Sequence, residues 1–456
     1  METNVQSNIV IAGTSHLTKR PHDTPCNVIE LMCEATQKAA EDAGNDAILS
    51  VVDQIIVPQG TWTINNPGGL VAQHLGIAAK SITYNVGILQ SSLIKRAIED
   101  VNAAKSRCTL IVGGEAKDYE RNVSESLHAI PTLSDSRRQE SSEFIQPAEL
   151  PISRYEIDMG LIRAPEQYAL IENAYAHAHK LTRESHQELI NNEWEEMARI
   201  ADSIPSSWIH NAHDHLKKNG WGRTIATPYM LHHVTQWNVN QASAILITTQ
   251  DVAETYSNGS DGFIFPNALI ESNAVIPLTE RSQLHHCNGL HHIKNEYVRL
   301  TGKNPSESQF HELYSCFPIA VRLQREAFEL GKRPGTITGG MTFAGGPYNN
   351  FMLQGLSQLA KQVRESQTTG VITSVSGMLT KQGLISLSAQ QPPSGMYLSD
   401  VSDKTQSRTD RIQIEPEMCG NAKVVSSTVS YSAGAPQVYV LVENHEKQRR
   451  LLISDS

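Results

Sequence analysis

The chain has 456 residues and a formal net charge of −10, with 38 Lys and Arg against 48 Asp and Glu. It lacks the clustered basic charge of a phosphate-backbone binder or of a protein docked on an anionic membrane. Aromatic residues make up only 6%, which argues against stacking platforms for single-stranded nucleic acid, so neither nucleic acid nor membrane is an expected partner. No apolar run approaches the ~18 residues of a spanning helix. The opening METNVQSNIVIAG has neither the basic nor the long apolar stretch of a secretory signal. Cys26, Cys33, Cys108, Cys287, Cys316 and Cys419 are scattered without a CxxC, the pattern of reduced thiols in a cytoplasmic protein.

The first hundred residues alternate. Asn8 to Gly13 (NIVIAG) is a short apolar run that predicts a buried strand. From Asn27 to Gly44, Val28, Leu31, Ala35 and Ala39 recur at helical spacing, and Gly44 fits a helix C-terminus. Val51 to Val57 predicts a strand stopped by Pro58, and Pro67 to Leu75 a helix closed by Gly76. Ile82 to Asn85 is extended, Ser91 to Ala104 helical, and Thr109 to Val112 a strand entering Gly113 and Gly114. Such alternation predicts an α/β sheet with helices on both faces. Asp118 to Gln236 reads as a mostly helical insertion, after which Asn240 to Thr249 resumes the strand pattern.

The second half repeats this order: helix at Ser282 to Leu300, strand at Glu312 to Phe317, helix at Ile319 to Leu330, strand and turn at Thr336 to Gly340. A long helix at Asn349 to Glu365 and strands at Val371 to Ser374 and Gly383 to Ser388 follow. Two similar halves predict a duplication. Ser394 to Arg411 is linker-like, and Ile412 to Ile414, Val424 to Val429 and Gln437 to Val442 predict a small β unit. The divisions are 1–117 and 237–258 for the first half, 118–236 for the insertion, 259–392 for the second half and 393–456 for the extension.

Three segments can carry chemistry. TYNVGILQSS (Thr83 to Ser92) joins a strand to a helix start, where free N–H groups can hold an anion. HELYSCFP (His311 to Pro318) places Cys316 beside polar groups, as a nucleophile or as a small core residue. GGMTFAGGPYNN (Gly339 to Asn350) is a Gly-rich turn before a helix, without the Lys and Ser/Thr of a phosphate-binding P-loop. His210, His213 and His215 form an HxxHxH run, read as a polar helix face; no metal is expected.

Over residues 8 to 392 the order of TYN, LIVGGEA (Leu110 to Ala116), HELYSCF, TFAGGP and VITSVSGMLTK (Val371 to Lys381) resembles the thiolase superfamily. The LYSCFP and AGGP segments and the C-terminal extension resemble its acetyl-CoA acetyltransferase-like branch. The resemblance implies duplicated βαβαβαββ halves in five layers, acyl-CoA ligands, no bound cofactor beyond a coenzyme A thioester as substrate or ligand, and a homodimer or dimer of dimers. That assembly would pair the strand at Ile82–Asn85 across a two-fold axis. It also implies where the family's catalytic set should stand. The nucleophile position reads Ile88, the activating His reads Gly346, the late Cys or His falls at Thr373 or Ser374, and the oxyanion-hole group becomes Tyr314.

The residues left to carry acyl transfer are therefore Cys316, Tyr314 and Ser374, with Gln90, Ser91, Gly345 and Gly346 around the ligand. Ordinary Claisen or thiolysis chemistry is not expected, because a covalent acyl-enzyme needs a thiolate or an activated hydroxyl. Three functions remain open at this point. One is an acyltransferase-like protein acting on or binding acyl-CoA thioesters. Another is a catalytically silent acyl-CoA-binding or structural subunit of a heteromeric complex. An unrelated small-molecule enzyme on the same fold is a third possibility.

Overall fold

The computed structural model describes residues 2–5, 8–122, 139–256, 262–431 and 435–455. Three six-stranded sheets organise them. The first runs, in spatial order, Ile9–Thr18, Asn240–Thr249, Cys108–Ala116, Val52–Pro58, Lys80–Tyr84 and Glu143–Ile145. The second runs Glu2–Val5, Met396–Asp400, Phe265–Ser272, Lys381–Ser388, Thr369–Ser376 and Phe310–Glu312. Between them lie two central helices, Gln90–Asn102 and Phe351–Ser366. Leu93, Ile94, Ala97 and Ile98 of one helix and Leu353, Leu356, Leu359 and Val363 of the other share a core with Ile82 and Ile111 of the first sheet and Leu269 and Ile385 of the second. The helix Val28–Asp42 covers the outside of the first sheet, and Asn288–Thr301 and Pro318–Ala327 cover the second. The result is the α/β duplication that the sequence pattern predicts, in the five layers that the resemblance implies, with both central helices starting where expected.

The helix starts follow from their caps. Asn27 accepts from the N–H groups of Ile29 and Glu30, and Glu30 returns the bond to Asn27, a complete capping box. Gly76 ends Pro67–Leu75 in the left-handed region, φ +68°, which a side chain would disfavour.

The insertion is mostly helical in its described part, with helices Ala164–Ala178, Arg183–Asp202 and Ala212–Asn219; residues 123–138 of it lie outside the described residues. Two sequence expectations change here. The linker-like stretch after Pro393 contains the strand Met396–Asp400, inserted between Phe265–Ser272 and Glu2–Val5. The C-terminal strands Lys423–Ser430, Gln437–Glu443 and Gln448–Asp455 form the third sheet with Gln413–Ile414, and with Thr224–Ala226 and Tyr229–Met230 of the insertion. The extension and the insertion thus share one sheet.

The edge expected to pair across a two-fold axis is already occupied. Ile82, Thr83 and Tyr84 pair in parallel with Glu143, Phe144 and Ile145 of the same chain. The edge passes to the three-residue strand Glu143–Ile145, and so short an edge is a poor template for pairing with another copy. No helix among the described residues is long and apolar enough to cross a membrane.

Candidate functional site

The two central helices meet at their N-termini, and this junction gathers most of the residues singled out in the sequence. Gln90 opens its helix but serves the other one: its Oε1 accepts the Met352 N–H at 2.7 Å, satisfying a donor that a helix start leaves free. Ser91 is fully buried. Its hydroxyl donates to Glu271 Oε1 at 2.5 Å and lies 2.7 Å from Ser374 Oγ, while Ser92 donates to the same carboxylate oxygen at 2.8 Å. Burial raises the Glu271 carboxyl above the usual range, opposed by Ser91, Lys95 and Ser92. Gly383 makes the room: a Cβ there would stand 2.3 Å from Ser91 Oγ and 2.6 Å from Ser374 Oγ. Ser91 and Ser374 therefore share one sealed cluster, with a carboxylate and without an imidazole.

The HELYSCF segment is equally committed. The Tyr314 N–H donates to Thr373 Oγ1 at 2.8 Å, and the Thr373 hydroxyl donates to Gln324 Oε1 at 2.5 Å, so Thr373 holds a loop. Burial pushes the Tyr314 hydroxyl far above its ordinary value. Burial also pushes the Cys316 thiol up to about 12, opposed by a hydrogen bond with Tyr168, whose ring stacks on Phe317 at 4.3 Å. No imidazole or ammonium is among the groups acting on Cys316; the backbone N–H groups of Cys316 and Phe317 favour its thiolate, and burial outweighs them. Glu312 accepts from the N–H groups of Ile337 and Thr338 at 2.8 and 3.0 Å and from the hydroxyls of Thr336 and Thr338. Thr336 to Gly340 is thus a loop wrapped on a carboxylate. The expected strand is absent there because its N–H groups face Glu312 instead of a ladder.

The glycines do not form an open cradle. Gly345 sits at φ +97°, and a Cβ on it would lie 2.4 Å from Gln241 Oε1; a Cβ on Gly346 would lie 2.3 Å from Thr235 Cγ2. Gln241 is held there by donating to Ala344 O at 2.8 Å and to Thr18 Oγ1 at 2.9 Å. The loop around Ile88 is pinned by buried Lys381, whose Nζ donates to Gly87 O at 3.0 Å. Burial holds that ammonium below its ordinary value. His215 of the HxxHxH run packs edge-on against His232, and among the described residues no three His, Cys, Asp or Glu are grouped to hold a metal.

Sequence reasoning missed a second group of residues at the C-terminal end of the strand Cys108–Ala116. Glu115 is buried, with Thr61 N–H on Oε1 and Thr61 Oγ1 on Oε2, both at 2.7 Å. Burial raises its carboxyl to about 7, against those two bonds. Its charge acts on the Tyr348 hydroxyl, and Tyr348 acts in turn on Tyr314. The Tyr348 and Trp237 rings lie 6.2 Å apart and are 39% and 44% exposed. Lys117 Nζ stands 4.8 Å over the Trp237 ring. Glu115 lay in plain view inside LIVGGEA, and an acid ending a buried apolar strand was the available signal. Tyr348 sat in a turn read only for its glycines.

No family model matches the chain, and no curated protein matches it in sequence. Solved structures do. A monomeric SCP2-thiolase-like protein of Mycobacterium smegmatis superposes with a TM-score of 0.79 at 20% identity, over 99% of this chain and 92% of the other. The Ltp2–ChsH2(DUF35) aldolase gives 0.62 at 18% identity, over 85% and 99%. Human mitochondrial 3-ketoacyl-CoA thiolase gives 0.56 at 13% identity, over 84% and 98%. The chain has the thiolase fold.

Proposed function

We propose that this thiolase-fold chain binds an acyl-coenzyme A thioester without passing the acyl group through a covalent enzyme intermediate. The observation that carries the reading is the state of Cys316: a buried thiol held at about 12, with no base beside it. Ser91, the alternative nucleophile, is shut off from solvent by its own cluster. The exposed Trp237–Tyr348 pair with Lys117 offers what such a ligand needs, a flat face for the adenine and a cation for its phosphates. Acetyl-CoA titrated into the protein is expected to quench tryptophan emission saturably, with the change lost in Trp237→Ala. An unaltered titration in that variant would remove this surface from the reading.

A second reading rests on Glu115. A carboxyl near 7, close enough for its charge to act on a tyrosine hydroxyl, suits proton transfer at a carbonyl compound. The aldolase neighbour supports carbon–carbon chemistry as its class, and that neighbour, a two-protein complex, supports a heteromeric partner for this chain. Uptake of deuterium from D2O into the acetyl methyl, lost in Glu115→Gln, would favour this reading over binding alone. We place the protein in the cytoplasm, as its unpaired cysteines suggest.

A further inference from the structure

A separate cavity of about 230 Å³ opens beside the start of the helix Asn288–Thr301, away from Glu115 and Tyr348. Arg281, Cys287, Gln382, Arg408 and Asp410 are on its wall. Arg281 is 8% exposed. Its Nε donates to Ile276 O at 3.0 Å, but its terminal nitrogens make no hydrogen bond among the described residues, and Nη2 is fully shut off from solvent. No carboxylate among the described residues forms an ion pair with it. Glu156, which acts on it from further away, is engaged by the N–H and hydroxyl of Thr279 at 2.8 and 3.1 Å. A guanidinium buried in this way, with no carboxylate in contact, is expensive to maintain.

The rest of the wall points the same way. Arg408 is exposed and unpaired among the described residues, so the lining carries two guanidinium groups against one carboxylate, Asp410. Cys287 precedes the helix, its thiol donating to Leu379 O at 3.6 Å and accepting from Gln382 Nε2 at 3.2 Å. The wall therefore carries guanidinium donors in excess of its one carboxylate.

We propose that this cavity binds a small oxyanion, a phosphate or a carboxylate, with Arg281 and Arg408 on its oxygens. The test is calorimetric titration of the full chain with inorganic phosphate and with lactate, at constant ionic strength set with chloride. Saturable binding is expected for at least one of the two anions. Arg408→Ala, at an exposed position, is expected to weaken it by ~10-fold or more, the scale of one charge-assisted contact. Arg281→Met is expected to abolish it. Where Arg281→Met fails to fold, Cys287 serves as the reporter: the bound anion slows its alkylation by N-ethylmaleimide in the parent protein and not in Arg408→Ala, read by peptide mass. No saturable binding of either anion, or binding and protection unchanged in Arg408→Ala, overturns the proposal. Trp237→Ala leaves anion binding unchanged, so this site and the thioester surface fail separately.

Discussion

Gly383→Ala probes the sealed cluster at the helix junction. The new methyl carbon would stand 2.3 Å from Ser91 Oγ and 2.6 Å from Ser374 Oγ, and neither serine can swing into solvent because both are buried. One hydroxyl must rotate away. If Ser91 moves, Glu271 loses its 2.5 Å donor, a bond to a charged group worth ~1.5–3 kcal/mol. Overpacking the strand adds ~1–3 kcal/mol. The expected loss is about 3–5 kcal/mol. With an unfolding entropy of ~2.1 cal/mol/K per residue over 456 residues, that lowers Tm by ~3–5 °C in scanning calorimetry. Ser91→Ala in the Gly383→Ala background removes the struck oxygen and is expected to regain part of the loss, a coupling that a double-mutant cycle reads directly. An unchanged Tm in Gly383→Ala, or a double variant no more stable than the single one, would refute the packing of this cluster.

Cys316 is expected to resist modification: with its thiol at about 12, only ~3 in 100,000 molecules are ionised at pH 7.5, against ~1 in 10 for a free thiol near 8.5. Iodoacetamide should label it ~1,000-fold or more slowly than a model thiol; labelling at the ordinary rate would return it to the list of nucleophiles. Glu115 and Glu312 both have carboxyls raised to about 7 from 4.5, so their stabilising neutral forms are fully present below about 4.5 and lost as pH rises through about 7. Urea unfolding should show the protein weaker at pH 8 than at pH 5, by up to about 3 kcal/mol for each group. Glu115→Gln should flatten its share of that fall, and parallel pH profiles for the two proteins would contradict the burial of Glu115. With Glu143–Ile145 covering the outer edge of Lys80–Tyr84, light scattering at micromolar concentration should give 50.3 kDa. Twice that mass would place a dimer contact on another surface.

The alternation up to Ala116 was legible because buried parallel strands and their covering helices leave apolar runs and helical spacing in the sequence. The strand Met396–Asp400 was not, because MYLSD carries only two apolar in-facing residues and its partners, Phe265–Ser272 and Glu2–Val5, are remote in the chain. Gln448–Asp455 has arginines at its second and third positions, and Arg449 is nevertheless buried, paired with Glu443 at 2.9 Å. The segments TYN, LYSCFP and AGGP were legible as chemistry-bearing loops, but the packing of their side chains was not. Sequence order marks the loops; it does not show that Gln90 caps the opposite helix, that Gln241 fills the space at Gly345, or that Ser91 closes on Ser374. Those depend on contacts between residues 103 to 283 positions apart.

Intact-mass spectrometry on protein saturated with acetyl-CoA, with binding followed calorimetrically in the same samples, is the most direct test of a thiolase fold working without an acyl-enzyme. Saturable binding with the protein mass unchanged is the expected result. A gain of one acetyl group, retained after denaturation and lost in Cys316→Ser or Ser91→Ala, would contradict it.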